Sequence, residues 1–200
     1  MLNRTTNQTN PHLLTKRTMK KILILVLILN FACSNDDITE IQNNGTGGIS
    51  CLVNGQVLKP KTNSVFGPST QYFKIYEDQG ITYINVGFYN KNSNSEWKIV
   101  DIYIPNIEYR DPITNQINSL VGTYNLKENN GTNSYGTYDI NVLDNFPTYT
   151  TTENHNGELK IDYHDIDNFI VSGTFWFNAV DENGEIVEIR EGRFDKEINN

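Results

Sequence analysis

The sequence predicts an all-β protein, a single antiparallel β-sandwich or partly open β-barrel of roughly ten short strands. Short alternating runs rich in Val, Ile, Thr, Tyr, Phe and Trp recur throughout residues 49–200, and clusters of Gly, Asn and Asp separate them. No apolar repeat with the helical period occurs in this stretch. A segment of about 150 residues suits one hydrophobic core, so we predict that 49–200 is one β domain.

The clearest strand runs from Asn168 to Val180. Its odd-numbered positions are apolar or small, whereas its even-numbered positions include Ser172, Thr174 and Asn178. We expect the odd face to be buried and Gly173 to mark a bend or a bulge. The expected buried face comprises Phe169, Val171, Gly173, Phe175, Phe177 and Ala179.

Further strands are predicted on both sides of this one. A strand over 158–164 precedes it, and strands over 185–190 and 193–198 follow, which gives a C-terminal four-stranded meander. Upstream, Asn54-Gly55 is a strong signal for a two-residue hairpin turn. The remaining predicted strands are 49–53, 56–59, 72–77, 81–88, 96–104, 120–126, 135–142 and 148–152.

The N-terminal region has the pattern of a lipoprotein signal peptide over residues 1–32. Lys20 and Lys21 precede the apolar run 22–32, which is too short to cross a membrane and ends next to Cys33. The stretch resembles a bacterial lipobox, in which Cys33 carries the acyl chains; plain secretion is the alternative. Because the residues before Met19 are polar and without a hydrophobic period, Met19 is a candidate for the true start.

Residues 33–48 are polar and rich in Gly and Asn, and we predict that they form a flexible acidic tether. Ser34, next to the cysteine, resembles outer-membrane sorting signals. The run Asn35-Asp36-Asp37 is similar to the surface-export tags of Bacteroidetes lipoproteins. The expected location is therefore the outer membrane, with the domain facing the periplasm or the cell exterior.

The charge and the cysteine content agree with this expected location. The chain after residue 32 keeps 11 basic and all 24 acidic residues, a net charge of −13. Such a surface repels phosphate backbones, so we predict no nucleic-acid partner. With Cys33 acylated, Cys51 has no cysteine to pair with and is expected to be a small buried residue.

The C-terminal motifs Ser172-Gly-Thr-Phe175 and Gly192-Arg-Phe-Asp195 resemble the ending of a family of uncharacterised Bacteroidetes lipoproteins. The pieces Val53-Asn-Gly55 and Gly122-Thr-Tyr-Asn-Leu126 are similar to other recurrent parts of that family. The resemblance implies no activity, and its matching residues look structural.

No catalytic motif, cofactor motif or metal-ligand spacing is present in the sequence, so we predict no catalytic residue, cofactor or metal. His164 lies among Asp162, Asp165 and Asp167, a pattern that fits a cation site or an acidic strand end exposed to water.

The candidate ligand-binding residues are aromatic. Trp176 shares the even face of its strand with Thr174 and Asn178, and Trp97 alternates in step with Tyr103. Exposed rings at these positions suit stacking on a glycan or anchoring of an envelope protein, whereas a fold that covers both faces would make Trp176 part of the core.

Three functions follow as alternatives. The first is a lipid-anchored outer-membrane or cell-surface protein whose β domain binds a ligand or partner without catalysis. The second is an envelope enzyme that processes glycans or peptides with carboxylates. The third is a structural or assembly role in an envelope complex. Sequence alone favours the first.

Overall fold

The computed structural model describes residues 38–62, 69–93, 96–142 and 146–199. Within these ranges the chain forms eleven β-strands and no α-helix, which confirms the all-β prediction. The predicted signal peptide and Cys33 lie outside the described residues, in which no helix has the length and apolarity needed to cross a membrane. The strands are β1 (Gly48–Val53), β2 (Gln56–Leu58), β3 (Gln71–Asp78), β4 (Ile81–Ser93), β5 (Glu96–Ile104), β6 (Gly122–Leu126), β7 (Tyr135–Val142), β8 (Thr148–Thr150), β9 (Gly157–Asp165), β10 (Ile170–Val180) and β11 (Ile186–Glu197).

All eleven strands belong to one antiparallel sheet that curls into a half-barrel. Its main path runs β2-β1-β11-β10-β8-β7-β5-β4-β3, and β9 and β6 branch from β10. Two isolated bridges, Lys61–Asn90 and Lys74–Asn199, bring the two margins of the sheet towards each other. The observed architecture is thus the partly open barrel expected from the sequence.

The hydrophobic core fills the inside of this curl. Along β10, Val171, Phe175, Phe177 and Ala179 are buried there, as the alternation predicted. Phe169 is the exception, with 39% of its surface exposed. It lies just before the strand and has a positive φ of 55°, so it does not continue the pleat.

Gly173 marks a bulge, as predicted. The register between β10 and β9 shifts between Ser172 and Gly173. A Cβ atom at Gly173 would lie only 2.0 Å from the carbonyl oxygen of Lys160 on β9. The close approach of these two backbones therefore requires glycine at this position.

The predicted four-stranded meander contains only three strands. Segments 185–190 and 193–198, expected as two strands, form the single strand β11. Glu191 has a positive φ of 49°, and the register of β11 against β10 shifts between Phe175 and Phe177. This irregularity bends the strand without ending its pairing, which the local sequence does not reveal.

The described part of the predicted tether, residues 38–47, is bound to the sheet. The backbone N–H groups of Gln42 and Gly45 donate hydrogen bonds of 2.9 and 2.7 Å to the carboxylate of Asp195, which is fully buried. The N–H of Thr39 donates to the Ser50 hydroxyl. The compact unit therefore begins at Ile38, and the prediction of a free tether up to residue 48 is wrong for this part. The segment is held because β11, which is distant in sequence, supplies the charged acceptor Asp195 for its N–H groups.

Candidate binding surface on the outer face of the sheet

Tyrosine side chains gather on the outer face of four neighbouring strands. In β3, β4, β5 and β7, alternate residues point away from the core, and strand pairing aligns them in rows. One row pairs Tyr76 with Tyr83, and another runs from Asn85 through Tyr103 to Tyr135. We call the following set the tyrosine surface: Tyr72, Tyr76, Tyr83, Asn85, Asp101, Tyr103 and Tyr135.

The rings of this surface form stacked pairs. The ring centroids of Tyr103 and Tyr135 are 5.0 Å apart with an interplanar angle of 18°, and those of Tyr76 and Tyr83 are 5.4 Å apart at 14°. Tyr76 is exposed and the other three are half-buried. The arrangement therefore presents flat aromatic faces and phenolic hydroxyls to solvent on a rigid sheet.

A buried carboxylate lies at the centre of the tyrosine surface. Asp101 is only 8% exposed. Its Oδ1 atom accepts hydrogen bonds from the Tyr72 hydroxyl at 2.5 Å and from Asn85 Nδ2 at 3.2 Å. No described residue donates to its other oxygen, Oδ2. One carboxylate oxygen is thus fixed by the protein and the other is left for a hydroxyl or amide donor.

Burial raises the pKa of Asp101 to about 6, although the hydrogen bonds from Tyr72 and Asn85 act in the opposite direction. The neighbouring Asp139 raises it further. Burial and the charge of Asp101 raise the pKa of the Tyr72 phenol far above its ordinary value, so Tyr72 remains a proton donor. An ionised Asp101 at neutral pH therefore destabilises the folded domain. A carboxylate that lowers stability in this way is a candidate for a functional residue.

Gly87 provides the space for this carboxylate. It is the residue directly opposite Asp101 on β4. A Cβ atom at Gly87 would lie 2.2 Å from Asp101 Oδ1 and 2.5 Å from the carbonyl oxygen of Val100. Glycine is therefore required here by a close approach.

Trp97 lies on the same face, at the other end of β5. It is 36% exposed and borders a hollow of about 250 Å³ together with Ile99, Asp139 and Phe146. Tyr103 follows Trp97 by six positions along the strand, which corresponds to about 20 Å. The two candidates of β5 thus mark the ends of one elongated surface, as their alternation indicated.

Trp176 is placed apart from these two residues. It is 40% exposed on the outer face of β10 and pairs with Glu158 of β9 rather than with β5 or β7. The guanidinium carbon of Arg190 lies 5.7 Å from its ring centroid, and Arg190 also donates to the Asn178 side chain. The alternative that Trp176 is a core residue is therefore wrong, since the sheet leaves its outer face uncovered there.

The acidic residues around His164 serve local structure. His164 Nδ1 accepts a hydrogen bond from the backbone N–H of Leu120, and burial lowers the pKa of the ring. Asp165 Oδ1 accepts from the N–H groups of Asp167 and Asn168 in the turn that follows β9. In the described ranges, no three His, Cys, Asp or Glu residues are grouped to hold a metal ion.

Sequence reasoning missed most of the tyrosine surface. Trp97 and Tyr103 were found by alternation along β5, and the same alternation contains Ile99 and Asp101 between them. That signal was available, but it did not distinguish Asp101 from any other acid. Tyr72, Asn85 and Tyr135 come from three other strands and join the site only through strand pairing.

No curated protein and no solved structure matches this chain. Residues 102–196 match the family model of a domain of unknown function, DUF6252. This range begins within β5 and ends within β11, so it includes Tyr103 and Trp176 and the two C-terminal motifs. The finding fits the resemblance to an uncharacterised family that those motifs indicated. The C-terminal half of the chain is thus similar to this domain of unknown function.

Proposed function

We propose that this protein is a lipoprotein of the Bacteroidetes type, anchored in the outer membrane through Cys33, whose β domain binds a glycan without catalysis. The signal-like segment, the cysteine that follows it and the acidic residues after Cys33 support the location. The tyrosine surface supports the binding function.

The observation that carries the binding proposal is the position of Asp101. A carboxylate held in a buried site on the outer face, with flat rings around it and one oxygen to which no described residue donates, suits a sugar. The C–H faces of a sugar ring pack on aromatic rings, and its hydroxyl groups donate to carboxylate and amide oxygens. The length of the surface from Tyr103 to Trp97 favours a chain of several sugar units over a single one.

One observation favours the enzyme as a second candidate. Asp139 lies diagonally from Asp101 across β5 and β7, a spacing of about 7–8 Å in antiparallel sheets, and the pKa of Asp101 is raised. Paired carboxylates of this kind hydrolyse glycosides. Binding fits better, because Asp101 is almost fully buried and one of its oxygens already holds two donors.

We test binding with a soluble form that begins at Ser34 and contains the whole compact unit. Titration calorimetry with cellohexaose, xylohexaose and chitohexaose is expected to show saturable binding of at least one of them. Tyr103→Ala should weaken that binding by about fivefold or more, since loss of an aromatic ring that contacts the ligand costs about 1 kcal/mol or more.

Two further variants serve as controls. Tyr163→Ala changes a half-buried tyrosine of β9 outside the tyrosine surface and should leave the affinity unchanged. Trp176→Ala asks whether the separate ring on β10 binds instead. Absence of binding to all three sugars, or equal affinities of Tyr103→Ala and the unaltered protein, would contradict the proposal. Hydrolysis of the bound sugar would favour the enzyme.

The anchor is tested separately in cells. Cys33→Ser is expected to abolish incorporation of a labelled fatty acid and to release the protein from the membrane fraction, because the acyl chains supply about 0.8 kcal/mol per buried methylene. Cys51→Ser is the control for the other cysteine. If the unaltered protein takes up no label, the assignment as a lipoprotein fails.

A further inference from the structure

The end of the half-barrel formed by the β1–β2 turn contains a cavity of about 360 Å³. It lies between the β1–β2 hairpin, the adjoining ends of β5, β7 and β8, and the start of β11. We name it the barrel mouth and define it by Leu58, Lys98, Tyr138, Tyr149, Glu185 and Val187. We propose that the barrel mouth binds a small amphipathic anion, a molecule with an apolar body and one carboxylate or sulfonate group.

The buried part of the barrel mouth is apolar and aromatic, whereas the exposed Glu185 adds a polar group at the rim. Leu58, Tyr138 and Val187 are buried and belong to the hydrophobic core. The rings of Tyr138 and Tyr149 lie 5.9 Å apart at an angle of 40°, so they form a corner rather than a flat stack. An apolar group that enters this corner meets ring faces and aliphatic side chains, which is the usual lining of small-molecule sites.

Lys98 places a positive charge beside this wall. On β5 it shares the inward-facing alternation with Val100 and Ile102, which are both buried in the core. It is half-buried, and its ammonium group forms no ion pair with any residue the structure describes. Glu96, two residues before Lys98, shares this alternation at the start of β5, and no ion pair joins the two side chains. Lys98 therefore gains a charged partner when an anionic group enters the mouth.

The two ends of the half-barrel differ. At the opposite end, segment 105–121 covers the core, and its Tyr109 and Leu120 are buried there. At the mouth, by contrast, Val57 and Ile186 are exposed large apolar residues on the rim, and both border the cavity. These rim residues extend the apolar contact outward, which suits a ligand with a hydrocarbon tail. Cavities of this size at the mouths of β-barrels are common ligand sites.

The test uses anilinonaphthalene sulfonate, an aromatic anion whose fluorescence rises in apolar surroundings, and the folded soluble form that begins at Ser34. We expect saturable binding of one equivalent. Decanoate should displace the dye, whereas decyltrimethylammonium, with the same tail and the opposite charge, should displace it at least tenfold less well.

Lys98→Met keeps the aliphatic stem of the side chain and removes its charge. It should weaken dye and decanoate binding by about tenfold, while Lys98→Arg should restore most of the affinity. Lys160→Met, which removes an exposed lysine on β9, is the matched control and should change neither affinity. Ile186→Asp adds a negative charge at the exposed rim and should also weaken binding of the anions.

Near-ultraviolet circular dichroism confirms that each variant is folded before titration. Dye binding that does not saturate, equal displacement by decanoate and decyltrimethylammonium, or equal affinities of Lys98→Met and Lys160→Met would each overturn the proposal. The glycan experiment concerns the outer face of the sheet and the dye experiment its inside, so either proposal can fail without the other.

Discussion

Replacing Phe175 with alanine is expected to lower the free energy of unfolding by about 3 to 5 kcal/mol. The ring is buried in the core and packs against Gly192 of β11, where an added Cβ atom would lie 2.4 Å from it. The truncation removes these contacts and leaves a cavity between β10 and β11. Equilibrium unfolding of the soluble form in urea measures the loss.

Glu185→Ala is the matched control for this prediction. Glu185 is exposed in the turn between β10 and β11, so its truncation should change the urea midpoint very little. Equal midpoints for the two variants would show that the odd-numbered face of β10 is not the buried one.

Replacing Asp101 with asparagine is expected to alter how stability depends on pH. The folded domain raises the pKa of this carboxyl from 3.8 to about 6, chiefly through burial. Below the unfolded pKa both states carry the proton, and the group has no effect. Between about pH 4 and pH 6 the unfolded state ionises while the folded state keeps the proton, so the folded state loses stability. Above about pH 6 this loss reaches its full value of about 3 kcal/mol.

Asparagine at this position cannot ionise, so the variant should escape that loss. The stability of Asp101→Asn minus that of the unaltered protein should therefore increase by up to about 3 kcal/mol between about pH 3.5 and pH 7.5. Comparing the variants at several pH values removes any constant packing cost of the amide. A stability difference that does not change with pH would contradict the raised pKa of the buried Asp101 carboxyl.

Tyr72→Phe provides the second arm of this experiment. It removes the hydroxyl that donates to Asp101 Oδ1 and leaves the ring in place. The ionised carboxylate then loses a charge-assisted hydrogen bond, which contributes about 1.5 to 3 kcal/mol. The variant should be less stable than the unaltered protein at about pH 7.5, and the deficit should shrink towards about pH 4.

The sequence predicted the strands well where one face of a strand is buried and the other is not. Alternation along β10 identified its core residues, and alternation along β5 placed Trp97 and Tyr103 on one face. The Asn54-Gly55 turn also formed as predicted, with positive φ at both residues. These features depend on neighbours in the chain, so local patterns are sufficient to reveal them.

Other features were missed because their causes are distant in sequence. Residues 38–47 look like a free linker until β11 brings the carboxylate of Asp195 next to their N–H groups. Segment 191–192 looks like a turn between two strands until β10 pairs across it. In both cases a contact between residues far apart in the sequence overrides a local composition that favours loops.

The sequence by itself determined the all-β class, most strand positions and the direction of the main apolar and aromatic side chains of β5 and β10, because these follow from a period of two residues along a single chain segment. Only the tertiary structure decided which strands are neighbours. That order brings Tyr72, Asp101 and Tyr135 onto one surface, and the curl of the sheet places Lys98 beside Tyr138 in the barrel mouth. Both sites arise from pairing and curvature, which are set by packing of the whole sheet around one core rather than by any local pattern.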